Sequence, residues 1–318
     1  MESKLKNKRV LVTGGAGFIG SHIVDRLVSL GADVFVLDDL SSGKLENLAK
    51  SQGKIKFIKG DITDEKILDT ALEGVEYVSH QAALRSVPES ISKPLEYNNV
   101  NVTGALKLFL KANGKGIKKI VCASSSSVYG ERDKFPEKET EETNPISPYA
   151  ATKLIVEKYS YVFSKLYNME IINLRYFNVY GPRQSLDDEY AVVVPKFINC
   201  LLNNENPPIY VTGDQERDLI YIDNVVDINV QCLEKDNIGP EVFNVGSGVP
   251  NSVNNLFKNI KEITASTAEP NYCPSRFGDV EKTHADIEKA KELLAFSPRV
   301  DFFHGLRETV EWFKEKNK

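Results

Sequence analysis

The chain has 318 residues, 41% hydrophobic and 27% charged, with 40 Lys+Arg against 45 Asp+Glu and a formal net charge of -5. These are the proportions of a globular chain and exclude collagen-like, disordered and disulfide-scaffold classes, while the mildly acidic balance repels nucleic acid and anionic membranes. Cys122, Cys200, Cys232 and Cys273 are far apart, with no C-x-x-C spacing, so neither a metal site nor a disulfide framework is expected.

The N-terminal residues run straight into an apolar strand pattern with no leader-like h-region and no ~20-residue apolar span, which makes a cytoplasmic protein the expectation. From residue 9 to about 180, β-branched runs at 9–13, 33–38, 54–59, 75–79, 118–123 and 170–176 alternate with helical patterns. That rhythm predicts βαβ units and a Rossmann-type, doubly wound parallel sheet. Helices are expected at 21–30, with Ile23, Leu27 and Leu30 on one face, and at 101–112, with Val102, Ala105, Leu106 and Phe109 on another. Past Gly181-Pro182 the rhythm breaks. Short strands are expected at 209–211 and 241–245 and polar helices at 252–263 and 286–294. The expected division is 1–178 with 219–246 as the dinucleotide-binding domain, and 179–218 with 247–318 as a smaller α/β substrate lobe.

The first strand leads into Gly14, Gly17, Phe18, Ile19 and Gly20, a G-x-x-G-x-x-G spacing opening a helix. Glycines so placed let backbone N–H groups approach a pyrophosphate at a helix N-terminus. The second strand ends at Asp38, 18 residues past the last glycine. A carboxylate there accepts the ribose hydroxyls of NAD and repels the 2′-phosphate of NADP, so NAD is the expected cofactor. Asp61 and Ile62, after the third strand, are placed for the adenine edge, with a helix-capping role for Asp61 as the alternative.

The run 124–127 is four serines, of which Ser125 and Ser126 are the expected hydroxyl donors. Downstream, Ser147 and Pro148 are helix-start signals, so Tyr149 and Lys153 fall at i and i+4 on one face. A tyrosine of pKa ~10 is only ~0.1% phenolate at pH 7, so a general base needs a shift of ~3 units, ~4 kcal/mol. A neighbouring ammonium and a cationic nicotinamide ring supply it, and a serine hydroxyl shares the proton.

These motifs make the chain resemble an extended short-chain dehydrogenase/reductase, and more closely a nucleotide-sugar 4-epimerase of the UDP-N-acetylglucosamine/UDP-glucose group. The resemblance implies that Gln81, Ala82 and Ala83 run beneath the cofactor, that Asn101 and Tyr176 support it, that Arg85 lies near the phosphates, and that Ser86, in the same segment, belongs to the substrate-binding set. It also places Asn178, Val194, Lys196, Arg217, Arg276 and Asp279 at UDP-binding positions. A UDP-sugar carries about two negative charges, which suit planar guanidinium donors. Arg217 beside Asp218 has a surface ion pair as its alternative. No metal is implied, and a homodimer through 101–112 and 152–166 is.

The implied reaction is a closed hydride cycle. Tyr149 takes the proton of the sugar 4-hydroxyl, a transient 4-keto sugar turns over in the site, and C4 is inverted. A 4,6-dehydratase carries an Asp-Glu pair beside the hydroxyl residue, where this chain has Ser126 and Ser127. UDP-glucuronate 4-epimerase is the alternative reading, with no cation identified for its carboxylate, and a non-catalytic NAD-sensing or scaffold protein is the alternative from another class. The resemblance places Thr283 beside the sugar C2 substituent, where a small residue admits an N-acetyl group. UDP-N-acetylglucosamine and UDP-N-acetylgalactosamine are therefore expected substrates along with the plain hexoses.

Overall fold

The computed structural model describes residues 2–186, 193–274 and 281–316. Twelve strands are assigned: β1 Arg9–Thr13, β2 Asp33–Asp38, β3 Ile55–Lys59, β4 Tyr77–His80, β5 Lys119–Ser125, β6 Glu170–Tyr176, β7 Asn178–Tyr180, β8 Pro208–Tyr210, β9 Glu216–Tyr221, β10 Glu241–Val245, β11 Pro250–Ser252 and β12 Asn271–Cys273. The α-helices are α1 Phe18–Ser29, α2 Glu65–Ala71, α3 Val87–Ser92, α4 Pro94–Tyr97, α5 Gly104–Asn113, α6 Pro148–Tyr167, α7 Val193–Leu202, α8 Ile222–Glu234, α9 Val253–Thr264, α10 Glu288–Leu294 and α11 Phe302–Lys316.

Seven strands form one parallel sheet in the order β10-β6-β5-β4-β1-β2-β3. This is the Rossmann-type doubly wound arrangement expected from the alternating pattern. Its strands are apolar on both faces because helices cover both, as a parallel sheet requires. Val10, Val12, Val34, Val36 and Ile172 pack into one core, and Leu11, Phe35, Val78, Ile120 and Ile171 into the other. The strand order reverses between β1 and β4, and their C-terminal ends open the crevice where ligands bind such sheets.

β10 joins the large sheet beside β6, while β7, β9 and β11 form a three-stranded sheet and β8 pairs with β12. Of these, β7, β9, β11 and β12 have no counterpart in the sequence reading. Three are only three residues long, and β9 begins with Glu216-Arg217-Asp218, which hides its apolar end. α7, α8 and α11 likewise lie where the sequence pattern predicts no helix. The expected helix at 101–112 begins as a π-helical turn, Asn98–Thr103, which continues into α5.

Candidate active site

α1 begins behind the glycine loop with Gly17 at its N-cap, no side chain capping it and no acid in its first turn. Its leading N–H groups therefore face the cleft unscreened, a cradle for an anion. Gly14 has φ +66°, and a Cβ there would lie 2.7 Å from the Ala82 backbone nitrogen. A Cβ on Gly20 would lie 2.1 Å from the Gly14 carbonyl oxygen. Any larger residue would push the loop off the β4 end or α1 off β1.

The cleft measures about 830 Å³ and is lined on this side by Gly14, Gly17, Phe18, Ile19, Gly20, Asp38, Asp61, Ile62, Gln81, Ala82 and Ala83. Asp38 is held by the Ala16 N–H at 2.9 Å and the Leu40 N–H at 2.8 Å. Burial raises its pKa and those two backbone bonds oppose the rise. Each oxygen keeps a free lone pair for a ribose diol. Asp61 does not cap a helix: Asp64 caps α2, and Asp61 accepts the Thr63 N–H at 2.7 Å in a turn. Asn101 is buried and does not line the cleft. Its amide accepts from Leu84 N–H and donates to Leu84 O and Thr152 Oγ1, bracketing the loop after β4. Tyr176 donates to Gln81 Oε1 at 3.2 Å, fixing the amide that faces the cleft.

Opposite this cradle stand Ser125, Tyr149 and Lys153. Ser147 caps α6 by accepting the Ala150 N–H, and Pro148 opens it, as the sequence requires. Lys153 Nζ lies 5.9 Å from the centre of the Tyr149 ring and donates to Ala123 O at 2.9 Å. Burial lowers the Lys153 pKa to about 8, against the Glu157 charge, which raises it. Burial raises the Tyr149 pKa, and the Ser125 hydrogen bond and the Arg85 charge pull it back. Among the serines only Ser125 meets the phenol. Ser126 opens a 3₁₀ turn and does not line the cleft, while Ser127 is the one bonded to Ser125, at 3.1 Å. Of the two expected hydroxyl donors, Ser125 therefore reaches the cleft and Ser126 does not.

A buried relay behind the serines escaped the sequence reading. Ser124 donates to Glu157 Oε1 at 2.5 Å, and Arg175 donates to both Glu157 oxygens, at 2.9 and 2.8 Å. The Arg175 guanidinium also lies 4.7 Å from the Tyr129 ring centre, and Tyr129 donates to Asn244 Oδ1. Glu157 lies one turn beyond Lys153 on α6, a spacing visible in the sequence once Tyr149 is fixed.

Beyond these residues the cleft is lined by Arg85, Asn178, Val179, Arg183 and Gln184. Arg183 pairs with Asp25 on α1 at 2.6 Å, and His22 meets Pro182 O at 3.0 Å, so this segment is anchored beside the glycine loop. Other residues expected at the UDP do not line the described part of the cleft. Val194 is fully buried in the core, Lys196 lies on α7 away from the described cleft, and Ser86 caps α3 by accepting the Glu89 N–H. Arg217 donates to Glu216 O and Glu281 O rather than pairing with Asp218. The Asp218 carboxylate accepts from Ser247, Gly248 and Ala285 instead. Thr283 is not among the described residues that line the cleft: its hydroxyl accepts from Asn178 Nδ2 at 3.0 Å and the Asp218 N–H at 3.1 Å, backing the cleft residue Asn178. Arg276 and Asp279 lie outside the described residues. Among the described residues no group of His, Cys, Asp and Glu is placed to hold a metal, and no helix is long and apolar enough to cross a membrane.

A parallel sheet with its switch point at a glycine cradle, facing a Tyr-x-x-x-Lys helix and a strand-end serine, defines an extended short-chain dehydrogenase/reductase. Residues 10–246 match the NAD dependent epimerase/dehydratase family, and the chain belongs to it. It is 40% identical over 312 residues to a putative UDP-glucose 4-epimerase of Methanocaldococcus jannaschii, spanning 97% of this chain and 99% of that one. It is 39% identical to the UDP-glucose 4-epimerase of Mycolicibacterium smegmatis, over 98% of this chain and 100% of the relative. The structure of a UDP-N-acetylglucosamine 4-epimerase from Methanobrevibacter ruminantium M1, in complex with UDP-N-acetylmuramic acid, superposes with a TM-score of 0.94 at 43% identity, covering 98% and 99% of the two chains.

Proposed function

We propose that the protein inverts C4 of a UDP-hexose with tightly held NAD, on plain and N-acetylated sugars alike. The observation that carries this is the convergence of Ser125, Tyr149 and Lys153 on the cleft that the Gly14–Gly20 loop and Asp38 also line. The N-acetylated sugars are supported by the likeness to the M. ruminantium enzyme. Bound NAD supplies a hydride acceptor that later returns the hydride. Tyr149 accepts the proton from the sugar 4-hydroxyl and gives it back after the ring has turned. Ser125 holds that oxygen at both stages. Lys153, charged below about pH 8, holds a ribose hydroxyl and favours the phenolate. Arg85, whose charge acts on Tyr149, adds to the same bias. Because the ring turns over, substrate affinity must come from the UDP.

The absence of an acid pair at Ser126 and Ser127 supports epimerisation over dehydration, since eliminating water needs a further acid and base. Residues 1–178 with 219–246 hold the cofactor, and 179–218 with 247–318 hold the sugar nucleotide. A cytoplasmic homodimer completes the proposal. Its support is the exposed apolar surface of α5 and α6: Leu110, Ile155, Tyr161, Val162 and Leu166. The test is the purified protein with UDP-glucose, UDP-N-acetylglucosamine and UDP-glucuronate, each analysed for its C4 epimer without added reductant. Conversion of the first two supports the reading, conversion of the glucuronate alone replaces it, and no conversion of any refutes it.

A further inference from the structure

Trp312 is the only tryptophan in the chain and has no part in the chemistry described above. It sits near the end of α11, half-buried, and lines the same cleft as Asp39, Lys44 and Asn47, at the β2 end where Asp38 marks the ribose side. Four residues on, Lys316 has its Nζ 5.1 Å from the centre of the Trp312 ring and 3.1 Å from Glu46 Oε1. The adjoining 3₁₀ helix, Leu45–Ser51, is itself tied to the glycine loop. Asn47 Nδ2 donates to Ala16 O at 2.9 Å and the Lys44 N–H to the same oxygen at 3.0 Å.

At its other end α11 is rooted in the three-stranded sheet. Tyr180 donates to Phe302 O at 2.9 Å, and Gly305 lies so close that a Cβ there would meet the Tyr180 hydroxyl oxygen at 2.5 Å. The helix is about 22 Å long at 1.5 Å per residue and so runs from the substrate-side sheet to the glycine loop. The Phe313 ring, edge-on to the indole at 4.9 Å and 87°, fixes its orientation. A large aromatic face on the cleft is suited to stacking against a purine.

We propose that α11 closes the adenosine end of the cofactor cleft, with the Trp312 indole lying against the adenine of the bound dinucleotide. The proposal rests on the NAD reading above. It makes the last helix of the chain, beyond the part that matches the family, a component of cofactor retention, and links that retention to the substrate-side sheet in which α11 is rooted.

The test uses the full-length protein freed of nucleotide. The single indole is titrated by its fluorescence with NAD, AMP and nicotinamide mononucleotide, and NAD affinity is measured by calorimetry in wild type, Trp312→Phe and Trp312→Leu. NAD and AMP should change the emission and nicotinamide mononucleotide should not. Trp312→Leu should weaken NAD and AMP at least about tenfold, the scale of a lost base–aromatic stack, and Trp312→Phe should recover part of it. The wild-type titration needs no variant to fold. Wild type that binds NAD with no change in emission, or Trp312→Leu that binds it equally well, overturns the role of Trp312 and leaves the NAD reading standing. Wild type that binds no NAD by calorimetry overturns both.

Discussion

Arg175→Met is expected to destabilise the fold and to be rescued by a second substitution at Glu157. The side chains of Arg175 and Glu157 are 5% and 4% exposed, and two N–H donors meet two carboxylate oxygens. Methionine fills similar space without the charge, leaving Glu157 in a dry interior with Ser124 as its one remaining hydrogen-bond partner from this cluster. Breaking a buried pair in this way costs ~3–5 kcal/mol. With an unfolding entropy of ~2.1 cal/mol/K per residue, a chain of 318 residues loses ~1.5 °C in Tm per kcal/mol, giving a drop of ~4–8 °C. Glu157→Gln in the same chain removes the stranded charge and should restore most of that loss. Glu157→Gln alone should also move the alkaline limb of kcat/KM downward, because Glu157 raises the Lys153 pKa against the burial that brings it to about 8. Calorimetric melting of the four proteins completes the cycle. A double variant whose loss equals the sum of the two singles would show that Arg175 and Glu157 are not coupled.

Tyr149→Phe should leave melting and NAD content near wild type and lower turnover by ~10²-fold or more, read from single-turnover kinetics; wild-type rates would remove Tyr149 from proton transfer. Asp38→Ala should lower the NAD released on denaturation, and release of NADP from the wild type would contradict the ribose assignment. Glu137 is buried, which raises its pKa to about 7 from 4.5 even though the His284 N–H bond lowers it. The folded state therefore binds the extra proton between those values, and this group's contribution to stability falls as pH rises through that window. Glu137→Gln should raise Tm relative to wild type at pH 8 more than at pH 5, by an amount on the order of 3 kcal/mol in the two-pH difference. An equal effect at both values would contradict the assignment.

The sheet was legible because parallel strands buried on both faces leave an unmistakable apolar rhythm, and 170–176 and 241–245 match β6 and β10 end to end. The cofactor cradle was legible for a local reason: glycine spacing, a strand-end acid and a Ser-Pro helix start act within a few residues of chain. The substrate side was not. Arg183 reaches the cleft because Asp25, 158 positions away, holds it, and Thr283 turns from the cleft because Asn178 and β9 claim its hydroxyl. Trp312 and Lys316 meet the glycine-loop neighbourhood from a helix whose pairing with Glu46 spans 270 residues. Such contacts depend on how the lobe folds back, which no periodicity encodes.

In the proposed cycle the hydrogen at C4 leaves and returns within one closed cleft. The direct test is UDP-glucose, or its N-acetylated counterpart, incubated with purified protein in deuterated water and no added reductant, with C4 followed by proton NMR. The expected product is the C4 epimer with full protium at C4, since Tyr149 exchanges only the hydroxyl proton. Deuterium at C4, or product that forms only with an external reductant, would contradict it.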